Sequence, residues 1–295
     1  MAYVRLARLK QWSKGVFVLI GPAYGLADGR EISIIAVLAA FVCFGCCSSL
    51  GYIVNDIADR EADKLHPRKR KRPIASGAIG VAQGVRFAWL MGACAALALG
   101  VVWLASGPLA AGLTGLASGA YVANALAYSM LFKKWAIADV LSLSGGFVLR
   151  VLGGCAAAGI APSTWLLNCT LFLSMYLAFG KRMGERRTLG SDAVGARAVQ
   201  SAYTDDLLRM LMVMSGIATL LSYAAYVQGR EEMFGGGVNL LWFTTIPATF
   251  GLLRSMLLLE RGVYDDPTEL AASDWPSRWA IALFGVITLA AWAST

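Results

Sequence analysis

The sequence predicts an all-α, polytopic membrane protein, a bundle of nine transmembrane helices. Three observations carry this. Of its 295 residues, 58% are hydrophobic and 15% charged, and the mean hydropathy is +0.62, more apolar than a water-soluble chain of this length. The charges are clustered instead of spread. The apolar runs between the clusters are long enough to cross a hydrocarbon core, which takes ~20 residues per helix.

The elements follow in order. Arg5, Arg8, Lys10 and Lys14 are spread through a segment that also carries Leu6, Leu9 and Trp12. This mixture suits a basic helix lying in the membrane interface over residues 1–14, not a cleaved signal peptide. Spans are expected over 15–28, 33–56, 82–104, 108–130, 138–159, 163–184, 205–228, 238–259 and 276–293. The first is short and contains Gly21-Pro22, which predicts a kink. No loop is long enough to be a separate domain, so residues 1–295 read as one transmembrane domain with cap loops at 57–81 and 181–204.

Lys and Arg fix the expected orientation. Besides the N-terminal four, they gather at Lys64 and Arg68 to Arg72, at Lys133 and Lys134, at Lys181, Arg182, Arg186, Arg187 and Arg197, and at Arg254, Arg261 and Arg278, whereas the alternate loops hold Arg30 and Arg230. The positive-inside rule then places the N-terminus and the basic loops in the cytoplasm and the C-terminus outside. The net charge of +8 sits in loops between spans, so its expected partners are anionic lipid head groups and phosphorylated substrates, not nucleic acid. The six cysteines, Cys43, Cys46, Cys47, Cys94, Cys155 and Cys169, all fall inside expected spans and read as packing residues.

The chemistry concentrates in residues 55–77, NDIADREADKLHPRKRKRPIASG. Asn55, Asp59 and Asp63 are four residues apart and share a helix face, with Asp56 beside them. Like charges at that spacing repel, and a cation removes the repulsion. Oxygen ligands together with a diphosphate suit Mg²⁺. A positive-inside loop explains the neighbouring basic run but not three aspartates in helical register. A second group comprises Tyr128, Lys133, Lys134, Asp139 and Arg150; Asp139 and Arg150 are eleven residues apart, on one face of the fifth span. An Arg inside a span requires a polar cavity or a partner. A third group is Gly180-Lys181-Arg182-Met183-Gly184-Glu185-Arg186-Arg187, at the end of the sixth span, where Lys181 and Glu185 are spaced to bridge. Asp265-Asp266-Pro267-Thr268-Glu269 reads as a solvated turn. The lone His66 has no second imidazole for a zinc site or a catalytic triad. There is also no phosphate-binding Gly-rich loop of the GxxxxGK[ST] or GxGxxG type.

The Asn-Asp-x-x-Asp-x-x-x-Asp motif after the second span, with the span count, resembles the UbiA superfamily of intramembrane prenyltransferases, and the similarity extends over nearly the whole chain. The resemblance implies nine helices around a central cavity, open sideways to lipid and capped by cytoplasmic loops. Most members carry a second motif, Asp-x-x-x-Asp, after the sixth span, where this chain has Lys181-Arg182-Met183-Gly184-Glu185. That departure is similar to one branch, the decaprenyl-phosphate phosphoribosyltransferases. Further matches to the branch are Lys10-Gln11-Trp12-Ser13-Lys14, the aspartate motif running on into His66-Pro67 and Arg70-x-Arg72-Pro73-Ile74-Ala75-x-Gly77, Tyr128-Ser129 with Lys133, Asp139 and Arg150, and Gly180-Lys181-Arg182 with Glu185.

The resemblance implies a bacterial plasma-membrane enzyme that transfers 5-phosphoribose from phosphoribosyl diphosphate to a polyprenyl phosphate in cell-wall biosynthesis. Mg²⁺ would be held by Asn55, Asp56, Asp59 and Asp63, the three aspartates being the expected catalytic groups. Lys14, Arg70, Arg72, Lys133, Lys181 and Arg182 would meet phosphates. Gln11, Tyr128, Asp139 and Glu185 would hold ribose hydroxyls or orient those cations, and Arg150 would bind substrate. The alternative is a prenyltransferase of the same superfamily that uses a prenyl diphosphate and an aromatic acceptor. A non-catalytic transporter or scaffold leaves the aspartate face unexplained, and the Asp-Gly-x-x-Ala-Arg pattern of CDP-alcohol phosphotransferases is missing. Apolar outer faces serve lipid and the subunits of a homo-oligomer equally well.

Overall fold

The apolar runs fold as helices in the computed structural model, which describes residues 2–65, 69–189, 202–234, 237–263, 270 and 273–294. The helices are α1 (Ala2–Ala7), α2 (Val16–Ala27), α3 (Ile34–Ala58), α4 (Arg60–Leu65), α5 (Val81–Met130), α6 (Ala138–Ala157), α7 (Thr164–Leu189), α8 (Asp205–Gln228), α9 (Thr245–Glu260) and α10 (Trp275–Ala293). No strand occurs among the described residues. Side-chain caps start several helices: Ser33 accepts from the Ala36 N–H (3.3 Å), Thr204 from that of Leu207 (3.1 Å) and Asp274 from that of Ser277 (3.0 Å).

Six stretches among the described residues are long and apolar enough to cross a membrane: 34–58, 81–130, 138–157, 205–228, 240–260 and 275–293. The 50-residue α5 is two spans joined at a break. Gly107 takes φ 86°, ψ 174°, a conformation that favours glycine, and Pro108 restarts the helix. With α2 and α7 added, the described helices supply the nine expected. Two boundaries differ from expectation. The interfacial segment is not one helix: Arg8 adopts a left-handed conformation (φ 51°), and a 3₁₀ turn, Leu9–Gly15, follows. The sixth span continues to Leu189 through the basic segment expected to be loop.

The chain divides into two compact units, Met1–Met130 with Gly146–Pro162, and Leu131–Gly145 with Ser163–Thr295. In the first unit, α3 packs along α5. Two glycines let α6 come close: a Cβ on Gly153 would lie 2.2 Å from the Phe44 ring, and one on Gly154 would lie 1.8 Å from the Val18 carbonyl oxygen. Pro22 lacks the N–H that would donate to that carbonyl within α2, so the oxygen is left facing α6. The same unit buries Leu6, Ile53, Ile74 and Ile79 in one cluster, which pins residues 72–80 against α1 and α3. In the second unit, α7 and α8 pack around Met175, Tyr176, Phe179, Met183, Tyr203, Leu208 and Met212. The Tyr176 hydroxyl donates to the Leu252 carbonyl (2.6 Å). Large side chains such as Trp89, Leu97, Leu104, Leu109 and Leu116 are exposed, as suits helices surrounded by lipid.

Candidate functional site

Helix α3 ends at Ala58, and the chain turns at Asp59 (φ −88°, ψ 7°) before α4 begins. The helical bonding pattern nevertheless carries across, Asp59 N–H to Asn55 (2.9 Å) and Asp63 N–H to Asp59 (2.8 Å). The side chains do not form the single stack that four-residue spacing suggested. Each four-residue step advances 40° around a helix, whereas seven residues fall only about 20° short of two turns. Asp56 and Asp63, seven apart, therefore share a face, and both accept from Arg72 Nη1, at 3.1 and 2.7 Å. Asp56 also accepts from Arg8 Nη2 (2.6 Å). Both aspartates are buried, and both arginines are about three-quarters buried. Asn55 accepts from the Ser129 hydroxyl of α5. Asp59 and Tyr128 are half-buried, and Lys14 and Arg70 are exposed.

Sequence reasoning missed Arg8. Its left-handed backbone aims the guanidinium over the Tyr52 ring (4.5 Å) and onto Asp56. A positive φ at a non-glycine residue is costly, and no one-dimensional pattern signals it. Arg72 is held by its surroundings: Pro73, Ile74 and Ala75 are buried, the Arg72 N–H donates to the Lys69 carbonyl (2.9 Å), and Gly77 turns the chain at φ 78°. Deeper along α3, Arg150 of α6 donates from Nη2 to the Tyr121 hydroxyl (2.6 Å) and lies over the same ring (4.5 Å). Among the described residues, neither Arg150 Nη1 nor Gln11 Oε1, both buried, has a hydrogen-bond partner.

The second unit gathers a separate network. Asp139, fully buried, accepts from Arg182 Nε (3.0 Å) and from the Tyr203 hydroxyl (2.8 Å). Arg182 Nη1 donates to Glu185 (2.9 Å), three residues on. Tyr203 accepts in turn from the N–H of Ile137 (2.6 Å), whose φ of 69° is strained for a β-branched residue. Burial pushes the Tyr203 phenol well above its ordinary range. Tyr203 lies 64 residues from Asp139 in sequence, beyond the reach of any local motif. Lys133 is half-buried and Lys181 exposed. His66, Pro67, Arg68, Arg197 and residues 265–269 lie outside the described residues.

The first cluster fits a hard divalent ion by its chemistry. Its donors, Asn55, Asp56, Asp59 and Asp63, are all oxygen, and two carboxylates already converge on one positive nitrogen of Arg72. No group of three or more His, Cys, Asp or Glu side chains is gathered into a ready metal cage among the described residues.

An apolar helical bundle with six stretches long and apolar enough to cross a membrane among its described residues defines an integral membrane protein. Residues 15–275 match the UbiA prenyltransferase family, and the chain belongs to it. It is a transferase of the same type as decaprenyl-phosphate phosphoribosyltransferases. The one from Corynebacterium glutamicum is 35% identical over 277 residues, covering 92% of this chain and 80% of that protein. The one from Mycolicibacterium smegmatis is 31% identical over 281 residues, covering 92% and 86%. A UbiA homologue from Archaeoglobus fulgidus, solved with DMAPP and Mg²⁺, shares the fold over the full length of both chains, with a TM-score of 0.70 at 16% identity.

Proposed function

We propose that this protein transfers 5-phosphoribose from phosphoribosyl diphosphate to a polyprenyl phosphate and releases diphosphate. The observation that carries the reading is the end of α7. Where a second carboxylate pair would serve a second metal, Arg182 is buried between Asp139 and Glu185. Arg182 ties up both carboxylates, so no carboxylate pair is left there for a second metal, and the exposed Lys181 beside it suits a substrate with an additional phosphate. The relatives' names point the same way.

Asn55, Asp56, Asp59 and Asp63 would hold Mg²⁺, which when bound neutralises charge on the departing diphosphate. Arg8 and Arg72 hold Asp56 and Asp63 in place. An oxygen of the lipid phosphate attacks the anomeric carbon from the face opposite the diphosphate. The bond from that carbon to the diphosphate oxygen breaks, with inversion. The acceptor is already an anion, so no strong general base is required. The main task is to bind anionic substrates. In the first unit Lys14, Arg70 and Arg72 would meet phosphates, with Gln11 and Tyr128 orienting sugar hydroxyls and cations; in the second Lys133, Lys181 and Arg182 would meet phosphates, with Asp139 and Glu185 in the orienting role. The protein sits in the bacterial inner membrane with its N-terminus and these groups on the cytoplasmic side.

The test is to incubate the purified protein with Mg²⁺, radiolabelled phosphoribosyl diphosphate and polyprenyl phosphate, and to extract the lipids. Mg²⁺-dependent label in the lipid phase is expected, and Asp59→Asn should reduce it at least about 100-fold while the protein still folds. No label, with prenyl diphosphate consumed when an aromatic acceptor is supplied, would overturn the reading.

A further inference from the structure

Arg150 is 4% exposed, within the apolar span α6. Its contacts among the described residues are the Tyr121 hydroxyl and the face of the Tyr121 ring, and Nη1 is buried with no acceptor. Tyr121 is itself fixed: its ring meets Phe44 edge-on (5.8 Å), and a Cβ on Gly146 would touch it at 3.5 Å. A guanidinium stays charged in a protein. Buried and unpaired, that charge destabilises the fold unless an anion arrives.

The depth of Arg150 identifies the anion. Its partner Tyr121 meets Phe44 of α3, twelve residues before Asp56. At 1.5 Å per residue this is roughly 18 Å further into the apolar part of α3 than the aspartates. Tyr121 packs against the apolar clusters of Phe44, Val102 and Cys43. A free phosphate or sugar phosphate would lose its hydration there and gain no apolar contact, whereas a phosphate on an isoprenoid tail gains contact along the whole span.

We infer that Arg150 binds the phosphate monoester of the lipid acceptor through Nη1, with Tyr121 positioning the guanidinium. The assignment rests on the acceptor being a lipid phosphate, as proposed above.

Thermal unfolding of the purified protein in neutral detergent tests it, with polyprenyl phosphate, polyprenol of equal length, phosphatidylglycerol or inorganic phosphate added. Polyprenyl phosphate should raise the wild-type midpoint more than the other three. Arg150→Gln should unfold without ligand at or above the wild-type midpoint, because a buried unpaired charge has gone. Its affinity for polyprenyl phosphate should fall at least about tenfold, the loss expected for a hydrogen bond to a charged group. Arg150→Lys should fold, raise the KM for polyprenyl phosphate, and leave the KM for phosphoribosyl diphosphate within about twofold. An R150Q protein that fails to fold, or that keeps the full response to polyprenyl phosphate, overturns the assignment. So does an equal Arg150-dependent response to phosphatidylglycerol or inorganic phosphate. A wild-type protein that ignores polyprenyl phosphate but turns over a prenyl diphosphate overturns the proposed function, and the assignment falls with it.

Discussion

Replacing Arg72 by glutamine tests how the aspartates are held. The Arg72 side chain is 26% exposed, while Asp56 and Asp63 are 2% and 3% exposed and both accept from its Nη1. Removing one partner of a buried ion pair costs about 3–5 kcal/mol, because the remaining charge is stranded. Arg72 is partly hydrated, and Arg8 still pairs with Asp56 at 2.6 Å, so the expected loss is reduced to about 2–3 kcal/mol. At about 2–4 °C per kcal/mol for a chain of several hundred residues, the unfolding midpoint should drop by roughly 5–10 °C. Millimolar Mg²⁺ should recover much of this drop in R72Q and shift the wild-type midpoint less, because an ion then replaces the guanidinium between the two carboxylates. Differential scanning fluorimetry in detergent, with Ca²⁺-free Mg²⁺ titrations, measures both effects. An R72Q midpoint within about 1 °C of wild type, or equal Mg²⁺ shifts in the two proteins, would refute the bridge as the element that holds Asp56 and Asp63.

Three further outcomes are expected. Gly154→Ala places a methyl 1.8 Å from a backbone carbonyl that cannot move aside, so it should lose at least ~3 kcal/mol or fail to accumulate, whereas Gly285→Ala, with nothing within 4 Å of the new atom, should be neutral or mildly stabilising in the same unfolding assay. Tyr203→Phe removes the bond to Asp139 and the acceptor for Ile137, and should cost about 1–3 kcal/mol. The folded state resists ionisation of Tyr203, so that contribution is complete below pH ~10 and is lost as pH rises further; Y203F should lack this alkaline loss. The Arg254 guanidinium beside Asp274 holds its carboxyl down to about 2, so the stabilisation is present above 3.8 and lost as pH falls toward 2. Asp274→Asn should flatten the wild-type decline in unfolding midpoint over that window.

The sequence by itself determined the helical class, the spans and the polar segments. Length and hydropathy are local properties, and a lipid-embedded backbone has no alternative to helix once its apolar run is long enough. The break between residues 104 and 108 was visible because Gly107-Pro108 acts on its own backbone. The aspartates were visible because a carboxylate at a span end is conspicuous wherever its side chain points. Only the tertiary structure decided partners. Arg8 reaches Asp56 across 48 residues, Tyr203 reaches Asp139 across 64, and Arg150 has a phenol where the spacing suggested Asp139 as a companion. Seven-residue register brought Asp56 and Asp63 together on Arg72, where four-residue spacing alone suggested Asn55, Asp59 and Asp63. The physical reason is desolvation. A charge taken out of water must find a counter-charge or donor wherever packing brings one, and packing of distant helices is not encoded in the spacing of any one of them.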